Sequence, residues 1–173
     1  MFKKSRLFEK AQRGSYSPYV MSFYDNSIID MYGLTSDLCG VLDGIRVQSH
    51  SSYARAKKVY DLVHDSISYG DIKRNRGYAG AKEVWRNKEG VCGEMSYLYI
   101  AATRYLGLKS SYVSVSHDVA GKKVNHGCAA VWTPKMTLVD IAYHSFGIRH
   151  RKYTLLSDKA VLTNFINWQK SDN

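Results

Sequence analysis

Apolar residues recur at three- and four-residue intervals up to Gly107 and alternate with polar ones beyond it. That switch of period predicts a helical first part followed by a sheet. Leu38, Val41, Leu42 and Ile45 share one face of a helix that Ser36 can cap, although Gly40 and Gly44 weaken it. Val59, Leu62, Val63 and Ile67 predict a second helix, capped by Ser51 or Ser52 and ending near Tyr69-Gly70. Residues 71–77 read as a charged loop, and residues 79–88 as a shorter helix with Val84 and Trp85 inward. The strongest pattern covers residues 92–106, where Met95, Leu98, Ala102, Tyr105 and Leu106 form one continuous stripe, with Gly107 placed for a left-handed cap. A helix this apolar is expected deep in the core, with Cys92 at its first turn.

Beyond Gly107, residues 112–117 alternate with period two. A polar turn containing Gly121 separates them from a strand over 124–132, and Thr133-Pro134-Lys135 separates that strand from another over 137–143. Val161, Leu162, Phe165 and Ile166 predict a closing helix over 157–169, capped by Ser157. Helices, then an antiparallel meander, then a helix make an α+β layout. The first fifty residues carry weaker signals: a basic stretch over 3–13 that can form a short helix, then a break near Pro18. They are expected to form a helical extension (1–50) packed on a core formed by residues 51–173.

With 173 residues, 45% of them hydrophobic, the chain can build a core without disulfides or metal staples. Its three cysteines, Cys39, Cys92 and Cys128, form no CxxC pair, which argues for a reducing, cytoplasmic setting and against a zinc site. No run is apolar enough to span a bilayer, and the basic N-terminus lacks the features of a secretory signal. Net charge is +10, with clusters at 3–13, at Lys73-Arg74-Asn75-Arg76 and at Arg149-His150-Arg151-Lys152. These read as a solvated surface or as attraction to an acidic partner. No motif of a specific nucleic-acid-binding fold is present.

Three residues stand out chemically. Cys92 follows Gly90 and starts a helix, whose free amides lower a thiol's pKa and can hold an oxyanion. Its bland reading is a buried apolar thiol, the reading that suits Cys128 among alanines. His126 begins a strand followed by small residues, and His117 and His144 rival it. Asp140 is the only charge in an otherwise apolar strand, so it must find a partner. It can cap a turn, bond a tyrosine or hold a histidine. His126 and Asp140 lie on one face only if paired residue numbers sum to an even value. A three-residue loop at 133–135 gives a sum of 268 and sets Asp140 diagonal to His126.

Residues 79–85, Gly90-Val91-Cys92, Glu94-Met95-Ser96 and 101–108 together resemble the transglutaminase-like core, a papain-like α+β fold. Residues 125–132 resemble its histidine strand and Leu138-Val139-Asp140 its aspartate strand, while Ile67-Ser68-Tyr69 resembles the Ile-x-Tyr that closes its lead-in helix. The resemblance implies helices packed on an antiparallel sheet, a nucleophile at the start of a buried helix, and no cofactor. It implies Cys92 as nucleophile, His126 as base and acid, and Asp140 as the residue orienting it. The family usually carries an aromatic one or two positions after its histidine, where this chain has Gly127 and Cys128. The expected activity is hydrolysis of an amide or peptide bond in a protein or peptide substrate, through a thioester. Glutamine transamidation or deamidation, and an idle basic binding module on the same fold, are the alternatives.

Overall fold

The computed structural model describes residues 31–70 and 79–170. The basic stretch over 3–13, the break near Pro18 and the charged loop over 71–77 lie outside them. The elements are α1 (Ser36–Gln48), α2 (Ser52–Ser66), β1 (Ser68–Tyr69), α3 (Ala81–Asn87), β2 (Glu89–Gly90) and α4 (Cys92–Tyr105), followed by β3 (Ser110–His117), β4 (Lys123–Trp132), β5 (Met136–Asp140), β6 (Ser145–Phe146), β7 (Lys152–Leu155) and α5 (Asp158–Lys170). The antiparallel sheet runs β6-β5-β4-β3-β7. Helices first and meander second is the α+β order that the period change predicts.

Helix α4 is the axis of the molecule. Every residue from Gly93 to Arg104 is buried, so the helix is enclosed on all sides rather than along one stripe. Glu94, Ser96, Thr103 and Arg104 survive enclosure because each is bonded. Ser96 Oγ donates to the Cys92 carbonyl at 2.7 Å, and Thr103 Oγ1 donates to that of Tyr99 at 2.9 Å. Arg104 Nη2 reaches Asp158 Oδ1 at 2.8 Å and so ties α5 to α4. Around this axis, Leu38, Leu42 and Ile45 of α1 and Val59 and Val63 of α2 join one core with Tyr112, Ala129, Val131 and Val139 of the sheet. The other sheet face carries a smaller cluster of Val113, Val115, Cys128, Ala130 and Leu138.

Several boundaries differ from the sequence reading for local reasons. Thr35, not Ser36, caps α1, its side chain accepting from the Leu38 amide. Val41 is 44% exposed, so it lies off the buried face. Helix α2 stops at Ser66 because Ser68 and Tyr69 leave it to pair in parallel with Glu89 and Gly90. That two-residue ladder carries Tyr69 to the loop before Cys92. Strand β7 escapes the alternation test because all four of its residues are exposed.

The β4–β5 register follows the three-residue loop: Ala129 pairs with Val139, Ala130 with Leu138 and Trp132 with Met136, each pair summing to 268. Gly127 answers a tight constraint. A Cβ built there would lie 1.9 Å from Tyr112 Oη and 2.6 Å from its ring. Tyr112 is the diagonal neighbour on β3, where Tyr112 pairs with Ala129 and Ser114 with Gly127.

Gly127→Ala should therefore destabilise the protein by about 1–3 kcal/mol, the usual cost of overpacking. Chemical denaturation measures it, and adding Tyr112→Leu should recover part of the loss. An unchanged stability would contradict this contact.

Candidate active site

The site assembles where β5 ends. The β4–β5 ladder stops at Ala129 and Val139, leaving the Gly127 backbone without a strand on its β5 side. The start of α4 takes that place: the Gly127 amide donates to the Cys92 sulfur, and Ser96 Oγ approaches the Gly127 carbonyl at 3.5 Å. The N-cap of α4 is Val91, whose side chain offers no acceptor, so the first amides of the helix turn to the site, that of Cys92 to the Tyr69 hydroxyl and that of Gly93 to the Cys92 sulfur. Glu94 fixes the approach to them. Its Oε2 accepts from the Val91 amide at 3.0 Å and its Oε1 from the Ala79 amide at 2.7 Å. Gly90 lets the chain pass closely, since a Cβ there would press on Val84 at 3.2 Å and on Glu94 at 3.4 Å.

Cys92, His126 and Asp140 are brought together. His126 Nε2 donates to Asp140 Oδ2 at 2.6 Å, and the imidazole is hydrogen-bonded to the Cys92 thiol, which its other nitrogen, Nδ1, is free to face. The Asp140 carboxylate divides its work. Oδ2 holds the ring, while Oδ1 accepts from the Tyr143 amide at 3.0 Å and closes the turn after β5. The turn-capping and histidine-holding readings of Asp140 thus both hold, one oxygen each. His117 and His144 lie elsewhere, bonded to Ser116 Oγ at 3.3 Å and to His64 Nε2 at 2.9 Å respectively. Cys128 is fully buried on the sheet face away from α4.

Charge follows geometry. Burial pushes the Cys92 thiol up, but hydrogen bonds from His126 and the Gly127 amide, the imidazolium charge and the Gly93 amide outweigh it, and the thiol lies below its ordinary value. Burial pulls His126 down, yet the bond to Asp140, the bond to Cys92 and the charges of both raise it from 6.5 to about 9. Thiolate and imidazolium therefore stabilise each other. Burial, and after it the charges of Asp140 and Cys92, drive the Cys128 thiol upward, the opposite direction.

Two residues join the site that sequence reasoning left out. His150 is buried, and its Nε2 donates to the same Asp140 Oδ2 at 2.8 Å. It lies between arginines in Arg149-His150-Arg151-Lys152 and reads as part of a charged surface; no periodicity marks it as internal. Tyr69, on β1, places its hydroxyl against the Cys92 amide and sulfur, and the signal for it was the Ile-x-Tyr run. The ligand atoms of His126, Asp140 and His150 lie within 4.8 Å of one another, which is also a metal-like grouping. At 2.6 and 2.8 Å from Asp140, the two ring nitrogens are at proton-sharing distance. Ligands about 2.0 Å from a tetrahedral ion stand roughly 3.3 Å apart, so the group as placed is a hydrogen-bonded one.

A model of the transglutaminase-like superfamily matches residues 40–141, more than half of the chain. The chain belongs to the transglutaminase-like superfamily. Among similar proteins of known sequence are uncharacterised ones from Mycobacterium tuberculosis and Mycobacterium bovis, 29% identical over 110 residues. That match covers 55% of this chain, and the chain spans about a third (35%) of the length of those relatives. Among solved structures, a provisionally assigned cysteine protease from Cytophaga hutchinsonii shares the fold at a TM-score of 0.55 and 13% identity, covering 86% of this chain and 57% of its own. A provisionally assigned protease from Parabacteroides distasonis does so at 0.51 and 12%, covering 69% and 25%. Superfamily membership and this fold support a cysteine-dependent enzyme. Among the described residues, no helix of this superfamily member is long and apolar enough to cross a membrane.

Two outcomes follow from the charge pattern. His126 holds its proton more tightly folded than unfolded, so its contribution to stability is full below pH 6.5 and is lost as pH rises through about 9. Cys92→Ala removes one of the raising partners, so the His126 midpoint in an NMR titration should fall from about 9; an unmoved midpoint contradicts the pair. His150→Ala should cost about 2–4 kcal/mol in urea unfolding, because it removes a donor to a buried carboxylate and leaves a cavity.

Proposed function

We propose that this protein cleaves an amide bond through a thioester on Cys92. The observation that carries the reading is the unbroken run from a half-buried thiol at a helix start, through an imidazole, to a buried carboxylate. The Cys92 thiolate attacks the carbonyl carbon, and the oxygen takes up the electron pair. The Cys92 amide, at the first position of α4 and bonded to the Tyr69 hydroxyl at rest, turns to that oxygen. The Tyr69 hydroxyl, already against this amide, is the second donor. Collapse of the intermediate breaks the C–N bond, and the His126 imidazolium gives its proton to the departing amine. His126, now neutral, accepts a proton from water as the water attacks the thioester. The acid product leaves and the thiolate–imidazolium pair returns. Asp140 holds one ring orientation throughout, and His150 holds Asp140.

Water is the acceptor we assign, so the substrate is a peptide or protein amide and the reaction a hydrolysis. The partly buried thiol beside an exposed Tyr69 suits an extended polypeptide. As domain organisation, we assign residues 1–50 to an extension and 51–173 to the catalytic core; Leu38, Leu42 and Ile45 already belong to the common core.

Iodoacetamide at neutral pH should modify Cys92 far faster than Cys39 or Cys128, read by peptide mass mapping. Cys92→Ala and His126→Ala should each abolish turnover of a casein or peptide-amide substrate, and Asp140→Asn should lower it by about 10²–10⁴-fold. Cys92→Ala should unfold within about 1 kcal/mol of the native protein, since the thiol is only half buried. Incorporation of a labelled amine in place of release of a free acid would reassign the reaction to transamidation. A Cys128→Ala variant that is equally inactive, yet folded, would overturn the assignment.

A further inference from the structure

We infer that the cationic rim beside His126 docks an acidic stretch of the substrate polypeptide. The inference rests on the amide-cleavage reading and names the class of chain that it selects. Strands β3 and β4 are joined at the end of the sheet that carries His126, and β7 begins at that same end. The register sets Lys123 and Lys152 on either side of His117, across three neighbouring strands. Lys122 adjoins them in the turn, and Arg151 lies over Gly121, its Nη1 3.1 Å from where a Cβ would stand. Arg149 precedes the buried His150. All five cations are exposed.

Among the described residues none of the five forms an ion pair. The acid of the turn, Asp118, is already used. Its Oδ1 accepts from the Ala120 and Lys122 amides, both at 2.9 Å, and its Oδ2 from the Tyr143 hydroxyl at 3.3 Å. It is buried, and the Lys122 amide heads the causes that hold its carboxyl below the ordinary range. The rim therefore sets five cations against the one buried carboxylate of Asp118, with no ion pair to any of the five among the described residues. Strands stand about 4.8 Å apart, so Lys123 and Lys152 lie on the order of 10 Å from each other, within one screening length. Such repulsion costs stability unless an external anion relieves it.

Position decides what that anion is. Lys123 is three residues from His126 along one strand, on the order of 10 Å at 3.3 Å per residue. An extended substrate whose amide lies at Cys92 and His126 reaches the rim roughly three to five residues away. Nucleic acid carries the same sign, but the rim is short, and of its exposed rings among the described residues, Tyr143 and Tyr153, the first is tied through its hydroxyl to Asp118. A stretch of Asp and Glu flanking the cleaved bond fits both the charge and the chemistry next to it.

The test uses the full chain carrying Cys92→Ser and a fluorescein-labelled octaglutamate peptide, with a Ser-Gly peptide and an eight-nucleotide single-stranded DNA of the same label. Anisotropy at low salt should show the octaglutamate bound and the Ser-Gly peptide not. Reversing Lys122, Lys123 and Lys152 to Glu singly should weaken the octaglutamate about 3–10-fold each, and the three together at least about 30-fold. Lys135→Glu, at the opposite end of β4, should change it by less than about twofold. Equal affinity for the two peptides, or an equal loss from Lys135→Glu, overturns the inference. So does DNA that binds more tightly than octaglutamate and is the ligand lost in the triple variant. The Cys92 alkylation rate of the unaltered protein separates the two readings: a sluggish thiol with octaglutamate binding intact removes the enzyme and leaves an acidic-polypeptide surface.

Discussion

A carboxylate persists in a protein interior only when its oxygens are met, and Asp140 meets that condition with three donors. Two imidazoles share one oxygen and the Tyr143 amide takes the other. The arrangement around the thiol depends on this. The His126 ring bonds Asp140 through Nε2, which leaves Nδ1 for the sulfur, and the tautomer follows from the partner rather than from the ring itself. His150 comes from the segment before β7, so the same oxygen also pins that segment to the end of β5. One acid thereby joins the turn after β5, the first half of β4 and the approach to β7.

The second condition is a missing strand partner. If β5 continued past Asp140, the Gly127 amide would belong to a ladder and the thiol would lose a donor. Because β5 ends, the start of α4 occupies the edge, and backbone groups that sheets normally consume are turned to chemistry. The same economy appears at the N-cap. Val91 cannot cap, and Glu94 reaches back to the Val91 amide instead of forward to the amides beside Cys92. A serine or aspartate at position 91 would make a better helix end and a worse anion site.

How much of this is legible in sequence depends on whether a residue's neighbours in the chain are also its neighbours in space. Helix α4 is a local consequence of period that Met95 and Leu98 suffice to read, whereas the β4–β5 register and the diagonal of His126 and Asp140 turn on whether the loop at Pro134 has three residues or four, and it has three. His150 is the opposite case. Arginines flank it in the chain, and only the fold turns its ring inward while theirs stay out. Tyr69 reads as a helix end because its parallel pairing with Gly90 has no signature in two residues. The apolar stripe already sets α4 deep in the core, and enclosure extends past it to Ser96 and Thr103 because each donates to a carbonyl one turn back and needs no water.

The charge of the site and the charge of the rim are then parts of one electrostatic problem. A thiolate in a half-buried cleft is favoured by every cation nearby, and His126 supplies the nearest one. The rim cations stand a screening length away, too far to set the thiol's protonation but near enough to shape what approaches it. Asp118 shows how the two are kept apart. Its carboxylate faces backbone amides and the Tyr143 hydroxyl, so it neither neutralises Lys122 nor competes with Asp140 for the imidazole. The Tyr143 residue links both acids, donating its amide to Asp140 and its hydroxyl to Asp118. Polar groups with no role in bond cleavage thus hold the nucleophile and the cationic rim at a fixed separation, and that separation decides how far from the cleaved amide an acidic residue must lie.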